Sequence, residues 1–289
     1  MLNKFFAHSL RYGNLIRFSH TVFALPFALS MFVYLTRDFS VSAQQLLWII
    51  VAVVSARTAA MSFNRLADRH LDALNPRTQN RELPAGTVSV SHAWILYGVS
   101  CLIFLASAAF LGTRCLVMAP LVLIILSGYS TAKRFSSLSH LILGLSLACA
   151  PGGVWYAIVG TFDWTPVFMM TGVLFWVAGF DIFYALQDRE FDRSIGLYSI
   201  PARVSVRGAL QIAGVFHVMT LGFFIGFGYS AKLSAIYFLG LSLFALPLLK
   251  QFSEILNVER DRIEHIFFRR NAQGSLIYLL AMLAERLYA

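Results

Sequence analysis

Long apolar segments constrain the possible folds of this chain more than any other feature of its sequence. A helix must contain roughly 20 mostly apolar residues to cross a hydrocarbon core about 30 Å thick. Such segments recur nine times, at 14–36, 45–63, 92–112, 115–132, 138–160, 166–187, 207–228, 231–250 and 271–288. Apolar residues make up 58% of the chain and charged residues only 13%, a balance far from that of soluble domains. The sequence therefore predicts an all-α integral membrane protein with nine transmembrane helices in a single domain, 1–289.

The basic residues are distributed unevenly across the predicted membrane topology. The chain contains 23 Lys and Arg residues against 14 Asp and Glu residues. If the N-terminus is cytoplasmic, most of the basic residues fall in cytoplasmic connections, which is the positive-inside pattern. Topology thus accounts for most of the positive charge and argues against nucleic-acid binding. We expect a multi-pass protein embedded in the lipid bilayer of the cell (inner) membrane, with the N-terminus and the active-site loops in the cytoplasm.

Two long polar connections on the predicted cytoplasmic side resemble each other. These connections, 64–91 and 188–207, follow the second and the sixth predicted spans. Each begins with acidic residues that extend an apolar helix, and each continues to a proline, Pro84 or Pro201. Connections placed four helices apart are typical of membrane proteins built from repeats. We therefore predict two four-helix repeats plus one helix. A third inner connection, 251–270, carries mixed charge without an assignable role.

Both polar connections carry acidic residues in helical register. The first set recurs at every fourth position and consists of Asn64, Asp68 and Asp72. The second set consists of Asp181, Tyr184, Asp188 and Asp192. At about 100° per residue, the members of each set lie on one face of a helix, the second set within about 60°. Asp181 falls inside an apolar segment, where an ionisable side chain is costly and usually functional.

Carboxylates in such register need a compensating charge. Two of them about 5–6 Å apart repel each other by roughly 3 kcal/mol at an effective dielectric constant near 20, so one would take up a proton or both would share a cation. Mg²⁺ is typically bound by one or two carboxylates, water and substrate phosphate oxygens. A single pair is more typical of a solvated helix face. Two sets at equivalent helix ends favour metal ions that hold a diphosphate between them.

Basic residues surround both acidic sets, and they are Arg77, Arg81, Lys133, Arg134, Arg189, Arg193 and Arg203. Some of them satisfy the positive-inside pattern alone. Others could stabilise the negative charge of a leaving diphosphate.

At these motifs the sequence resembles the UbiA superfamily of intramembrane prenyltransferases. The family's first motif, N-D-x-x-D-x-x-x-D, corresponds to N-R-x-x-D-x-x-x-D at 64–72, and NPRTQNRELPAG at 75–86 matches its N-R-x-x-P-x-G ending. The stretch YSTAKR at 129–134 is similar to Y-S-x-x-K-R. The second motif, D-x-x-Y-A-x-x-D-x-x-x-D at 181–192, continues into GLYSIP. The first predicted span also fits, with IRFSHTVFALPFAL at 16–29.

The resemblance implies helices around a central cavity and an active site built from the motif regions 64–86 and 181–201. It implies that Mg²⁺ is bound by the catalytic residues Asp68, Asp72, Asp188 and Asp192, with Asn64 and Asp181 nearby. The residues expected to bind diphosphate are Arg81, Lys133, Arg65, Arg134 and Arg193. The residues expected to contact an aromatic acceptor are Arg17, His20, Tyr129 and Tyr184.

The chain departs from the family pattern at one position, because Arg65 replaces the usual first Asp of the motif. The arginine could contact diphosphate directly, or replace a group that only orients the metal ligands. Motifs of this kind resemble the branch that makes ubiquinone or menaquinone precursors. The expected reaction is transfer of a polyprenyl group from a polyprenyl diphosphate to 4-hydroxybenzoate or a naphthoate, with Mg²⁺ as cofactor and release of diphosphate.

Two other membrane functions remain as alternatives at this point. A secondary transporter would also suit many helices, a repeat and Asp181 within a span. Against it, the polar residues cluster on one side of the predicted membrane instead of forming a path across it. A CDP-alcohol phosphotransferase would also use Mg²⁺, but its D-G-x-x-A-R run is not found in this sequence.

Overall fold

The computed structural model describes residues 12–161, 163–256 and 262–289, except for the side chains of residues 18–20. Within those ranges the regular elements are helices, and no strand occurs among them. A 3-10 helix, Phe18–Phe23, precedes the α-helices. These are α1 (Leu25–Leu35), α2 (Ala43–Leu74), α3 (Val90–Leu111), α4 (Thr113–Ala132), α5 (Ser139–Val159), α6 (Trp164–Ala185), α7 (Arg189–Ser194), α8 (Ile200–Arg203), α9 (Val206–Ser230), α10 (Ala235–Leu256) and α11 (Ile263–Tyr288).

Seven of the described helices are long and apolar enough to cross a membrane, namely α2 to α6, α9 and α10. This confirms the predicted class of all-α, multi-pass membrane protein. The first predicted span, 14–36, is not one continuous α-helix. It consists of the 3-10 helix followed by α1, which has 11 residues and carries Pro26 in its first turn. Proline has no backbone N–H to donate, so it suits the start of a helix and not its interior.

The last predicted span, 271–288, is longer in the structure than in the prediction. Helix α10 continues to Leu256 and α11 begins at Ile263, so most of the predicted connection 251–270 is helical. Three charged residues of this region lie where the two helices meet, since Glu254 forms ion pairs with Arg269 and Arg270. These charges, which the sequence left without a role, hold the adjoining helix ends together.

Helix α2 places the first acidic set beyond the apolar bundle. The helix starts with a capping box, in which Ser42 and Gln45 satisfy each other's backbone N–H groups. It has 32 residues, which corresponds to about 48 Å at 1.5 Å per residue. A helix of that length exceeds the roughly 30 Å of a hydrocarbon core. Its C-terminal turns, which carry Asp68 and Asp72, can therefore project into the polar boundary.

The most extensive contacts between helices are made by the pairs α2–α3, α5–α6, α6–α9 and α10–α11. Helix α11 also packs on α1. Aromatic rings fill the core between these helices, for example Phe27 against Trp176 and Phe224 against Tyr278. Helices α5 and α6 approach so closely at Gly144 that a Cβ atom there would lie 2.2 Å from the carbonyl oxygen of Leu174. Only glycine fits this contact, which sets the position of α6 against α5.

The close contact at Gly144 leads to a stability prediction. Gly144→Ala should lower the free energy of unfolding by about 1–3 kcal/mol, because the added methyl group overlaps backbone atoms. Gly128→Ala on α4 is the matched control, since a Cβ atom there meets nothing within 4 Å; it should be neutral or stabilising by up to about 1 kcal/mol. Thermal unfolding of both detergent-purified variants measures the difference. Equal melting temperatures would show that α5 and α6 are not in this contact.

Candidate active site

A polar cavity of about 240 Å³ lies where both acidic motifs meet. The sequence-predicted site residues that line it are Arg17, Asn64, Arg65, Asp68, Asp72, Arg81, Tyr129, Lys133, Asp181, Tyr184, Asp188 and Asp192. Arg17 comes from the segment just before the 3-10 helix, and the others come from α2, the end of α4, α6 and α7 and the connections that follow these helices. The structure therefore brings together two motifs that lie more than a hundred residues apart in the sequence.

Asp68 has two cations beside it in the structure. Its side chain is 5% exposed, and the ammonium group of Lys133 lies 3.1 Å from its Oδ2 atom. Arg134 approaches the other oxygen at 3.4 Å, and Asn64 donates a hydrogen bond of 3.3 Å. Burial alone would lower the pKa of Lys133, but the charge of Asp68 outweighs it and raises that pKa above its usual value. Lys133 is therefore held as a cation at the cavity wall.

Asp72, one helical turn further along α2, is only half satisfied. Arg81 binds its Oδ1 atom at 2.8 Å. The Oδ2 atom is buried and has no hydrogen-bond partner. A buried carboxylate oxygen without a partner is costly, so this atom is available to a further cation.

Asp188 is held by residues that the first motif region supplies. Arg77 binds both of its oxygens, with 2.8 Å between Nε and Oδ1 and a second ion pair to Oδ2. The amide of Asn75 donates to Oδ1 at 2.8 Å. Arg77 also lies over the ring of Tyr184, 5.3 Å from its centroid. Although burial opposes it, the bonding to Asp188 raises the pKa of Arg77 above its usual value, so the guanidinium stays charged.

The second acidic set does not lie on a regular α-helix as the periodicity predicted. Helix α6 ends at Ala185, a 3-10 turn covers Leu186–Asp188, and α7 begins at Arg189. Asp188, which Arg77 and Asn75 bind, lies in this 3-10 turn. The members of the set line the cavity despite this interruption.

Two further carboxylates are oriented by hydrogen bonds. Ser199 donates to the Oδ2 atom of the buried Asp192 at 2.7 Å. Asp181 lies 2.7 Å from the Nδ1 atom of His140. Both carboxylates are thus held at defined positions of the cavity wall.

The remaining predicted residues have different surroundings. Arg65 is buried, lines the cavity and donates to the carbonyl oxygen of Leu15 at 3.0 Å. Arg17 forms an ion pair of 2.5 Å with Glu264 at the start of α11. Arg134 and Arg193 are exposed and are not among the residues that line the cavity. The side chain of His20 lies outside the described part of the chain.

Among the residues that line this cavity, Arg57, Asn75 and His140 received no role from the sequence, and Arg77 was recognised only as one of the basic residues around the acidic sets. Arg57 could have been recognised, because an arginine inside an apolar segment is a functional candidate by default. Its Nε atom is buried without a hydrogen-bond partner. No pattern in the sequence indicates the partners of Asn75, Arg77 and His140, since these partners lie in distant segments of the chain.

A second, apolar cavity of about 140 Å³ lies between α2, α3, α4 and α5. Its lining consists mainly of small and aliphatic side chains from the halves of these helices that lie away from the acidic motifs. Arg57, Tyr129, Leu143 and Leu147 line both cavities. The polar site and the apolar space are therefore adjoining parts of one interior.

The donor set of the polar cavity fits a hard divalent cation. Its candidate ligands are carboxylate and amide oxygens, which Mg²⁺ prefers, and Asp72 Oδ2 is a buried oxygen without a partner. In the described ranges, no three Asp, Glu, His or Cys side chains converge on one point. Such a site would hold the ion through one or two carboxylates and complete its coordination with water and a bound anion.

The fold and this site define an integral membrane enzyme whose polar centre lies beside an apolar interior cavity. More specifically, the chain belongs to the UbiA prenyltransferase family, whose model matches residues 23–272. It is a prenyltransferase, which confirms the resemblance found in the motifs and removes the transporter and the phosphotransferase as alternatives.

Individual relatives agree with this assignment. The chain is 27% identical over 267 residues to a 4-hydroxybenzoate octaprenyltransferase of Photobacterium profundum, covering 92% of this chain and 90% of that one. The solved structure of a UbiA homolog from Aeropyrum pernix K1 is 33% identical, with a TM-score of 0.83 over 93% of this chain and 98% of that one. A UbiA homolog from Archaeoglobus fulgidus, solved with DMAPP and Mg²⁺, shares the fold at 22% identity, with a TM-score of 0.69 over 93% and 99%.

The pair formed by Arg77 and Asp188 leads to a second stability prediction. Arg77→Gln should destabilise the protein in EDTA by about 2 kcal/mol, less than the 3–5 kcal/mol of a fully buried pair because both side chains are partly exposed. Arg193→Gln, at an exposed position, is the control and should stay within about 0.5 kcal/mol of wild type. Thermal unfolding in detergent provides the comparison. If both variants melt together, Arg77 does not compensate Asp188.

Proposed function

We propose that this protein transfers a polyprenyl group from a polyprenyl diphosphate to an aromatic acid and releases diphosphate in a Mg²⁺-dependent reaction. The acceptor is 4-hydroxybenzoate or a naphthoate, as in ubiquinone or menaquinone biosynthesis. One observation carries the proposal above all others. Asp68 and Asp72 meet Asp188 and Asp192 around a cavity that is lined by cations and adjoins an apolar cavity.

The diphosphate group of the donor is assigned to the polar cavity. Asp68, Asp72, Asp188 and Asp192 would hold Mg²⁺, with Asn64 and Asp181 nearby. When bound, Mg²⁺ supplies charge neutralisation for the diphosphate oxygens. The Archaeoglobus fulgidus relative was solved with a prenyl diphosphate and Mg²⁺, which supports the same pairing of ligands here.

Lys133 and Arg81 stabilise the leaving group in the proposed reaction. The allylic C–O bond breaks and its electron pair departs with the diphosphate, whose negative charge therefore grows. Both cations line the cavity beside Asp68 and Asp72, and preorganised cations are most effective where such charge develops. The allylic carbon then bonds to a carbon of the electron-rich ring, and that ring carbon loses its proton. Arg65, Arg134 and Arg193 remain predicted diphosphate contacts, of which Arg65 lines the cavity.

The apolar cavity is assigned to the prenyl chain of the donor. It adjoins the polar cavity at Tyr129, Leu143 and Leu147, so a molecule can place a charged head in one and a hydrocarbon chain in the other. Burial of such a chain is favourable by about 0.8 kcal/mol per CH₂ group. The two cavities together match the two chemical parts of a polyprenyl diphosphate.

Arg57 is assigned to the carboxylate of the acceptor. It lies within α2 at the junction of the two cavities, and its buried Nε atom lacks a partner. A guanidinium group in apolar surroundings requires an anion, and its planar donors match a carboxylate. Tyr129, which lines both cavities beside it, and Tyr184 remain predicted contacts of the acceptor ring.

Arg17 and His20 also remain predicted acceptor contacts, although Arg17 is already paired with Glu264. Several relatives, such as the Photobacterium profundum enzyme, are 4-hydroxybenzoate octaprenyltransferases, which favours 4-hydroxybenzoate as the ring.

The architecture proposed for this function is a single domain of nine spans in the cell (inner) membrane. Helices α1 and α11 would add to the seven apolar helices, and two four-helix repeats plus one helix would surround the cavity. The acidic motifs would face the cytoplasm, where diphosphates are available, in keeping with the positive-inside pattern.

The reaction is tested with purified protein, Mg²⁺, radiolabelled geranyl diphosphate and either 4-hydroxybenzoate or 1,4-dihydroxy-2-naphthoate. Asp68→Asn and Asp188→Asn should each lower kcat by at least about 100-fold, as is typical when one preorganised electrostatic group is lost. Asp38→Asn, at an exposed position, is the matched control and should retain full activity. EDTA should stop the reaction. Near-normal activity in both aspartate variants would contradict the proposed site.

The assignment of Arg57 makes a separate prediction about substrate affinity. Arg57→Met should raise KM for the aromatic acid by about tenfold to a hundredfold, because a charge-assisted hydrogen bond contributes about 1.5–3 kcal/mol. The KM for geranyl diphosphate should stay unchanged. In wild type, the neutral analogue 4-hydroxybenzamide should have a higher KM than 4-hydroxybenzoate. In Arg57→Met the two KM values should be similar. An increase in both KM values, or in that of the donor alone, would place the acceptor carboxylate elsewhere.

A further inference from the structure

His140 connects two parts of the site that the sequence motifs do not link. It lies in the first turn of α5, and its side chain is only 3% exposed. Its Nδ1 atom is 2.7 Å from Oδ2 of Asp181 on α6. Its Nε2 atom is 3.2 Å from the backbone nitrogen of Ile200, at the start of α8.

These two contacts determine the tautomer of the imidazole. The backbone N–H of Ile200 can only donate, so Nε2 of His140 must accept and carries no proton. The proton of the neutral ring is therefore on Nδ1 and is donated to the carboxylate of Asp181. Such a ring orients the carboxylate that it contacts, because the bond to Ile200 prevents the ring from rotating and the bond to Nδ1 then fixes the carboxylate.

The bond to Ile200 also affects Asp192. Ser199 precedes α8 at the position where a serine hydroxyl usually accepts a hydrogen bond from the helix. Here Ser199 makes no such cap and donates instead to Asp192. His140 accepts from the N–H of Ile200, the residue that follows Ser199, and so fixes the backbone from which the Ser199 hydroxyl reaches Asp192.

The packing of α5 against α6 keeps His140 in reach of Asp181. Gly144, one turn after His140, lies against the backbone of Leu174, two turns before Asp181. The helices cannot move apart there without losing a close backbone contact. The distance between the imidazole and the carboxylate is therefore set by the rigid part of the bundle.

We propose that His140 is a positioning residue that holds Asp181 directly, and Asp192 through Ser199 and Ile200, in one geometry. The inference rests on the proposed function in assigning these carboxylates to the active site. Groups that orient metal-binding or catalytic carboxylates typically change affinity or activity by about 10–100-fold when removed. Loss of the imidazole should therefore lower turnover by a similar factor without removing any group that touches the substrates.

Three substitutions separate the two contacts. His140→Asn keeps a donor near the Nδ1 position, facing Asp181, but has no acceptor for Ile200. His140→Gln reaches the Nε2 position with its amide oxygen and accepts from Ile200, but it does not reach Asp181. His140→Phe fills the space and makes neither bond. His217→Asn is the matched control, because His217 is also buried but is not among the residues that line the cavity.

Activity is measured at saturating Mg²⁺ and both substrates. His140→Phe should lower kcat by about 10–100-fold, with His140→Asn and His140→Gln between it and wild type, and His217→Asn should keep wild-type kcat. Hydrogen exchange at the amide of Ile200 should accelerate in His140→Phe and His140→Asn but not in His140→Gln. In wild type, ¹⁵N spectra of labelled histidine should show a protonated Nδ1 and an unprotonated Nε2.

An equal loss of kcat in the three His140 variants would overturn the separate roles of the two contacts, and wild-type kcat in His140→Phe would overturn the inference altogether. A protonated Nε2 would also overturn the inference. The exchange and ¹⁵N measurements need no turnover. If wild-type protein failed to prenylate any acceptor while both measurements gave the expected result, the proposed function would fail and the contacts of His140 would stand.

Discussion

Charge compensation inside an apolar helix bundle is the constraint on which the rest of this structure depends. Five aspartates are brought to one cavity, and a carboxylate removed from water is tolerated only with a cation or hydrogen-bond donors beside it. Some of these partners come from distant parts of the chain. Lys133 binds Asp68 from the end of α4, and Arg77 binds Asp188 across 111 residues of sequence. The contacts that compensate the buried carboxylates therefore also hold the helices of the site in place.

This arrangement explains how one membrane protein can bind both the charged group and the hydrocarbon chain of a substrate. Most of the cations and carboxylates lie at the ends of α2, α4 and α6 or in the segments that follow them, while the other halves of the helices enclose an apolar cavity. Arg57 and Tyr129 lie where the two meet. A charged leaving group can stay in the polar part while a reactive carbon faces a water-poor interior. Exclusion of water there would protect an allylic cation from hydrolysis.

Much of the site could be predicted from sequence because helical periodicity is local. The spacing of Asp68 and Asp72 placed them on one face of α2, and both line the cavity. Proximity in sequence does not decide which side chains reach the cavity at a helix end, because neighbouring side chains point about 100° apart. Lys133 and Arg134 are adjacent, and only Lys133 lines the cavity. The predicted regularity of the second motif failed, since a 3-10 turn interrupts it at Leu186–Asp188.

The sequence by itself determined the membrane class, most of the spans and the register of the acidic residues, because hydrophobicity and periodicity are properties of a single helical segment. Only the tertiary structure decided which partner each carboxylate has. Asn75 reaches Asp188 across 113 residues, and His140 reaches Asp181 across 41. These pairings require α5 to lie against α6 and the two motif regions to meet. Such distances follow from how whole helices pack, a property that no single segment of the chain contains.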